Sequence, residues 1–562
     1  MHYRDTVRDH FVASVSSCET ALRNREKLLE SFYQYRKTAV AEGSTGPVRE
    51  YILPREGNTS NVDKLAASLA SQGVEVKRAT AAFRNAGKEY PEGSFVISLA
   101  QPAMRLARTL LDPQVSMEPD FLKGEEHRRE SKLPSEMYDV TAWSLPLQYG
   151  VAAVGTADVS KGSFEPVKAG ELPAGKVIGS KPEVAYLVPW GVSAAARFLA
   201  SGLLEGLQIA TTDKAFKLAG RTFGSGTLIV KVKENPADVH DRVARLAKSS
   251  GAEVYATDTG WVDEGANFGS HRVFSVPRAT VALAWDRPTG ASSAGATRFV
   301  LERQYGYPVT VVRTDQLARG DLNQFQVIIL PDTGGGGGGG EAAGYDTVFG
   351  ANGARRLNDW VQAGGTLIGL GAGAVAYLAD PRTALLAISQ ENAAKPAEPA
   401  RPAPTAPAPG APAQPPAAPA RVPGKLFTTD QDFEKAIQAD IELPDSLHGV
   451  LLRAKVNPEQ WVTAGVPDTV SVLASGRAIF TPIKLDKGVN AAYFAGPDQL
   501  LASGYMWEPN RKQFAYKPFV VVQRSGRGNV IGFTEDPNFR GYMDGLNLLF
   551  VNAVFRGPAH GR

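Results

Sequence analysis

Two stretches of this chain match one another, and that duplication constrains the fold more than any other feature. Tyr51 opens YILP and leads into LAASLASQGVEVKRATAAFRNAGKEYPEGSFVISL. Tyr186 opens YLVP and leads into LASGLLEGLQIATTDKAFKLAGRTFGSGTLIVKV. Gly73 and Gly206, Phe83 and Phe216, Gly87 and Gly220, Tyr90 and Phe223, and Gly93 and Gly226 all lie 133 residues apart. Tyr51 and Tyr186 lie 135 apart, so one small indel separates the copies. Two copies make a duplicated module; a solenoid needs at least three. Each copy reads strand, helix, strand, turn, strand. The glycines fall where turns demand left-handed backbone or close packing, which explains them before any ligand is invoked.

A third α/β unit begins near Arg278. Thr280 to Trp285 (TVALAW) predicts a buried strand, Ala294 to Tyr305 a helix, and Val309 to Val312 a strand. Val327 to Leu330 (VIIL) predicts another strand, Arg355 to Gln362 a helix, and Thr366 to Leu370 (TLIGL) a further strand. Short apolar runs alternating with helices imply a doubly wound parallel sheet. Two low-complexity tracts interrupt this unit. Gly334 to Gly340 are consecutive glycines, and Pro396 to Pro423 holds 11 of the 38 prolines, interleaved with alanine. Such a tract buries little and favours extended conformations, so it reads as a tether. Beyond it come strands, turns and a last helix near Gly545 to Phe555, which should complete the third unit.

The expected organisation is therefore a helical segment over 1–45, a first α/β module over 46–150 and a second over 151–276. The doubly wound domain follows in two parts, 277–390 and 425–562, separated by a Pro/Ala-rich linker over 391–424. Helical spacing of apolar residues from Phe11 to Tyr35 supports the first segment. Cys18 lies on its apolar face and reads as a small core residue.

Composition removes several functions. Lys plus Arg is 61 and Asp plus Glu is 58, a net charge of +3, without the basic surplus of a dedicated nucleic-acid binder. One cysteine forms neither an internal disulfide nor a cysteine-rich zinc cluster. No run approaches the ~20 apolar residues of a membrane helix. The opening MHYRDTVRDH is too charged for the apolar part of a signal peptide.

Three groups of residues invite a chemical reading. His127 and Glu130 form an HxxE motif, and with the distant His240 they give the ligand set of many zinc peptidases. Their settings, GEEHRRESK and NPADVHDRVARLA, instead suggest exposed helical faces. Gly369, Gly371 and Gly373 follow the TLIGL strand in the pattern of a nucleophile elbow, with glycine at the nucleophile position. Geometry is kept there and chemistry is lost. Asp139, Trp143, Asp536 and Arg540 come from the polar, aromatic segments YDVTAWSLP and DPNFRG. They can line a groove; caps, turns and internal pairing explain the same residue types. The glycine tract lacks the G-K-[ST] ending of a phosphate loop. His448 has no evident partner.

The segments SLAQPAMRLARTLLDPQ, YDVTAWSLP and GRGNVIGFTEDPNFRGYMDGLNLLFVNAVFRGP carry a resemblance. From about Arg25 to Pro558 the chain resembles the C-terminal region of large bacterial zinc carboxypeptidases, members of the carboxypeptidase A-like metallopeptidase family. That region ends in a domain similar to class I glutamine amidotransferases, with a flavodoxin-like fold. The resemblance implies a periplasmic or secreted protein and a peptidase domain, in cis or in trans, as partner, with the helical segment over 1–45 resembling the tail of that missing peptidase domain. It implies that zinc belongs to that other domain: the family's zinc-binding HxxE, later His, substrate-binding Arg and general-base Glu have no counterpart here. The expectation is a non-catalytic accessory or scaffold region that assists peptide binding. The alternatives are a hydrolase with a rearranged zinc site built on His127, Glu130 and His240, and a stand-alone peptide- or glycan-binding module around Trp143.

Overall fold

The structure, a computed structural model, describes residues 3–114, 116–333, 344–394, 426, 428–429 and 442–561. The glycine tract and the proline-rich run 396–423 lie outside the described residues.

Both copies of the module fold alike. In the first, Glu50–Leu53 pairs antiparallel with Phe95–Ser98, which pairs with Lys77–Ala79. In the second, Ala185–Val188 pairs with Leu228–Lys231, which pairs with Ala210–Thr212. The expected turn between the last two strands is itself a small hairpin, Phe83–Asn85 with Lys88–Tyr90 and Phe216–Leu218 with Arg221–Phe223. Phe83 stacks on Tyr90 at 5.3 Å and Phe216 on Phe223 at 5.2 Å. Gly87 (φ 78°) and Gly220 (φ 75°) hold the left-handed turn positions of those hairpins, so the repeat preserves the backbone as well as the apolar pattern.

The helices of the two copies, Thr59–Ser71 and Ser193–Leu204, meet at their N-termini. Asn58 Oδ1 accepts from the backbone N–H of Asn61 (3.3 Å) and of Ser193 (3.1 Å). Ser60 Oγ accepts from the Ala194 N–H at 3.2 Å, and Ser193 Oγ donates to Asn61 Oδ1 at 2.9 Å. Each helix start leaves N–H groups without intrahelical partners, and here residues of the first copy satisfy those of the second. Buried Asp544, from the far end of the chain, locks the junction through Lys64 at 2.5 Å.

The third unit contains five parallel strands: β1 (Val281–Trp285), β2 (Thr310–Arg313), β3 (Val327–Leu330), β4 (Thr366–Leu370) and β5 (Gly528–Phe533). Their spatial order is 2-1-3-4-5, the flavodoxin-like arrangement of a doubly wound sheet. β3, β4 and β5 are buried along their whole length, as strands covered on both faces must be. Beyond β5 the sheet continues antiparallel through Pro518–Ser525, Val489–Phe494, Leu447–Val456 and Thr469–Gly476. The segments before and after the proline-rich run therefore share one sheet.

The N-terminal segment forms α1 (Tyr3–Arg23) and α2 (Arg25–Thr45). Asn24 N–H donates to Thr20 O at 3.0 Å, and Leu28 N–H to Asn24 O at 2.9 Å, so the helical ladder passes through the junction. Only the root of α2 is anchored, through buried Ala39 and Gly43 and through Arg105, which binds Glu42 at 2.7 Å. The reading of Cys18 as a core residue is corrected here: its side chain is exposed, because nothing among the described residues covers α1, which has no buried residue. None of the helices is long and apolar enough to cross a membrane, among the described residues.

Candidate functional site

In an open parallel sheet, ligands bind beyond the carboxyl ends of the strands, where the strand order reverses. Here that point lies between β1 and β3. The helix Ala291–Phe299 follows β1 and presents Ser293; Pro331 and Asp332 follow β3. Ser293 Oγ accepts from the Asp332 N–H at 3.0 Å, and Asp332 O accepts from the Gly290 N–H at 2.7 Å. The two sides of the crevice are thereby tied together.

β4 delivers the elbow. Gly369 is the fourth residue of the strand, and Gly371 and Gly373 stand in the first turn of the helix Gly371–Ala379. Gly371 has φ 77°, the left-handed value at which an elbow turns its side chain out of the sheet. A Cβ placed there would lie 2.5 Å from Asp332 Cγ. A side chain at 371 would therefore meet the Asp332 carboxyl, whose Oδ1 accepts from the Gly373 N–H at 2.7 Å. Asp332 fills the role of a helix cap.

Two further carboxyls stand at the end of β5. Glu535 is buried and its Oε2 accepts from the Ser475 N–H at 3.3 Å. Asp536 Oδ1 accepts from the Asn538 N–H at 2.8 Å. Burial pushes the Asp332 carboxyl up to about 6; Asp536 adds to the rise, and the Gly373 and Thr333 N–H groups oppose it. Burial likewise raises Glu535 and Asp536, and for Glu535 the neighbouring carboxylates push further in the same direction. Like charges held close in a dry setting resist joint ionisation, so the cluster retains protons where isolated carboxylates would not. Asp332, Glu535 and Ser293 escaped the sequence reading, although an acid two residues after the VIIL strand was a visible signal for Asp332.

The groove residues are partly brought together. Arg540 pairs with Asp139 at 2.8 Å across 401 positions of sequence, and that bond holds the Asp139 carboxyl below the ordinary range. The Asp139 segment is docked by the Thr141 N–H, which donates to His448 O and Gly449 O at 2.9 Å. Trp143 keeps 42% of its surface exposed and Tyr138 99%. Asp536 belongs instead with Asp332 and Glu535.

The zinc alternative finds no support in the geometry. His127 and Glu130 are exposed on the helix Pro119–Glu130. His240 is half-buried, and its Nδ1 lies 2.9 Å from the Tyr186 hydroxyl, not on a fully solvated helix face. Among the described residues no group of three or more His, Cys, Asp or Glu side chains is placed to hold a metal ion. The residues present do not fit a catalytic zinc.

No protein-family model matches the chain, and no curated protein matches it. Among solved structures it is similar to a cytoplasmic protein of Salmonella typhimurium, at 12% identity and TM-score 0.26, covering 49% of this chain and 97% of that one. It is similar to a glutamine amidotransferase of Thermotoga maritima, at 8% identity and TM-score 0.26, covering 46% and 76%. It is also similar to a ThuA-like protein of Parabacteroides merdae, at 12% identity and TM-score 0.29, covering 50% and 89%.

Proposed function

We propose that this chain is a non-catalytic accessory region that scaffolds a zinc carboxypeptidase domain, supplied in cis or in trans, and assists its binding of peptide. The observation that carries the reading is the elbow after β4. It has glycine at the nucleophile position, and the Asp332 carboxyl stands where a side chain would go. A fold that normally presents a nucleophile there has converted the position into a helix cap. In this reading zinc belongs to the partner domain, and the pair works in the periplasm or outside the cell.

A second reading is favoured by the exposure of Tyr138 and Trp143 on either side of the paired Asp139. Aromatic faces beside a charged pair suit a peptide or sugar ligand, so the same surface serves a stand-alone binding module.

The test is release of C-terminal residues from a test peptide by a separately purified zinc carboxypeptidase domain of this family, with the chain titrated in. The accessory reading expects no release and no chelator-sensitive activity from the chain alone, and a lowered KM for the peptidase in its presence. Unchanged peptidase kinetics together with no measurable association would sink it. Peptide or glycan binding that persists without any peptidase domain would favour the second reading.

A further inference from the structure

The two N-terminal helices leave a long run of apolar side chains exposed. From Tyr3 to Thr38 no residue is buried. Phe11 is 68% exposed, Leu22 69%, Leu29 67% and Phe32 58%. At ~1.5 Å per residue these helices reach on the order of 50 Å from their anchored root. Isolated helices in water are marginal, and most helical stability in proteins comes from packing an apolar face. A face this long therefore calls for a covering surface.

The spacing says what kind. Val15, Leu22 and Leu29 recur every seven residues, and Phe11, Cys18 and Phe32 fall on the companion positions of the same heptad. That is the seam of a coiled coil, whose partner is another helix with the same repeat. The chain offers such a helix in a second copy of itself. Taking ~200 Å² for a fully exposed large side chain, the apolar residues of the two helices leave on the order of 1,000 Å² uncovered per copy. A stable interface needs ~800 Å² per partner.

Orientation follows from the seam's charges. Arg8, Arg25 and Arg36 occupy heptad core positions. A parallel pair would set each against its own equivalent. Arg4 occupies a fourth such position, and an antiparallel pair leaves only one arginine meeting, Arg4 with Arg36 at the ends of the seam: it brings Phe11 opposite Leu29, Cys18 opposite Leu22, Arg25 opposite Val15, and Arg8 over the Phe32 ring, where a guanidinium is attracted to the aromatic face.

We propose that the chain self-associates through α1 and α2 as an antiparallel two-helix coiled coil between two copies. This inference is independent of the accessory reading.

Sedimentation of the full chain measures it directly, with Phe11→Glu/Leu29→Glu as the disrupting variant; exposed on the arm, these substitutions leave the two modules and the ten-stranded sheet folded. The expected result is a dimer for the natural chain and a monomer for the variant. Leu22→Cys, with Cys18 retained, fixes the orientation: mild oxidation should link position 22 of one copy to Cys18 of the other, giving a covalent dimer on a non-reducing gel. A chain that stays monomeric at micromolar concentration would refute the proposal. So would a dimer that the double substitution leaves intact, or a monomer that associates only when a carboxypeptidase domain is added. Cross-linking through Cys18 alone, as strong as with Leu22→Cys, would refute the antiparallel arrangement.

Discussion

Gly371→Cys restores the nucleophile of an elbow on paper and should fail in the protein for two separable reasons. The backbone at 371 sits at φ 77°, where a non-glycine residue costs ~1–2 kcal/mol. A Cβ there lies 2.5 Å from Asp332 Cγ and 2.6 Å from its Cβ, and overpacking of this kind costs a further ~1–3 kcal/mol. The sum centres near ~3.5 kcal/mol. A domain of this size shifts by ~2–4 °C per kcal/mol, so the calorimetric transition of the ten-stranded sheet should fall by about 7–14 °C. Because the clash is with Cβ, Gly371→Ala should cost nearly as much as Gly371→Cys. Removing the obstacle with Asp332→Gly, which takes away both the Cγ and the Cβ that the new side chain meets, should return the overpacking part in the Gly371→Cys background and leave the backbone part. That substitution forfeits the cap on the Gly373 N–H, worth ~1 kcal/mol. Neither variant should hydrolyse glutamine or a peptide. The reasoning is wrong if Gly371→Ala melts within a degree of the natural chain, or if Gly371→Cys gains hydrolytic activity.

The raised Asp332 carboxyl predicts a pH dependence of definite sign. Its folded value of about 6 lies above the 3.8 of a free aspartate, so between those values the folded state holds more protons than the unfolded one, and stability falls as pH rises through that window. Asp332→Asn keeps an acceptor for the Gly373 N–H and cannot ionise. Thermal melts should show it more stable than the natural chain at pH 8 and equal to it at pH 4; the opposite order would contradict the assignment. Arg556 is buried, with Nη2 2.5 Å from Asp213 Oδ1 and Nη1 2.7 Å from Thr211 Oγ1. Breaking a buried pair from one side costs ~3–5 kcal/mol. Asp213 is partly solvated and keeps His560 at 2.9 Å, so Arg556→Met should lose about 2–3 kcal/mol in denaturant titration. The double variant with Asp213→Asn should lose less than the sum of the two single changes; additivity would mean the pair is not coupled.

Local pattern carried much of this fold. VIIL and TLIGL form strands with the boundaries the sequence suggests, because a short apolar run closed by turn residues leaves little choice. The duplication foretold two modules built the same way, and the glycines stand at left-handed positions in both. Periodicity alone misled at Cys18. An apolar stripe marks a face that wants covering without saying whether this chain covers it, and the structure leaves that cysteine exposed. Long-range partners were beyond reach. Asn58 and Ser193 meet across 135 positions, and Asp139 and Arg540 across 401; composition can nominate such residues and cannot pair them. The acid cluster was missed for a related reason. Asp332 follows β3 while Glu535 and Asp536 both follow β5, and only the 2-1-3-4-5 order shows that one strand separates them, so the named Asp536 could not be grouped with the other two.

That order also brings polar groups of the crevice into contact with one another. Three of them are engaged. Ser293 accepts from Asp332, Asp332 caps the helix after β4, and the Thr289 hydroxyl lies 3.0 Å from the Tyr345 hydroxyl. These three contacts engage Ser293, Asp332 and Thr289 within the protein. The duplicated modules spend their helix N-termini in the same way, with Asn58 and Ser60 binding the N–H groups of Ser193 and Ala194 that could otherwise receive an anion. Exposed apolar surface includes Tyr138 and Trp143, Trp261, Leu485 and Tyr516, and the seam from Phe11 to Phe32. Exposed apolar and aromatic surface suits contact with another macromolecule, which is what the accessory reading proposed above requires of this chain.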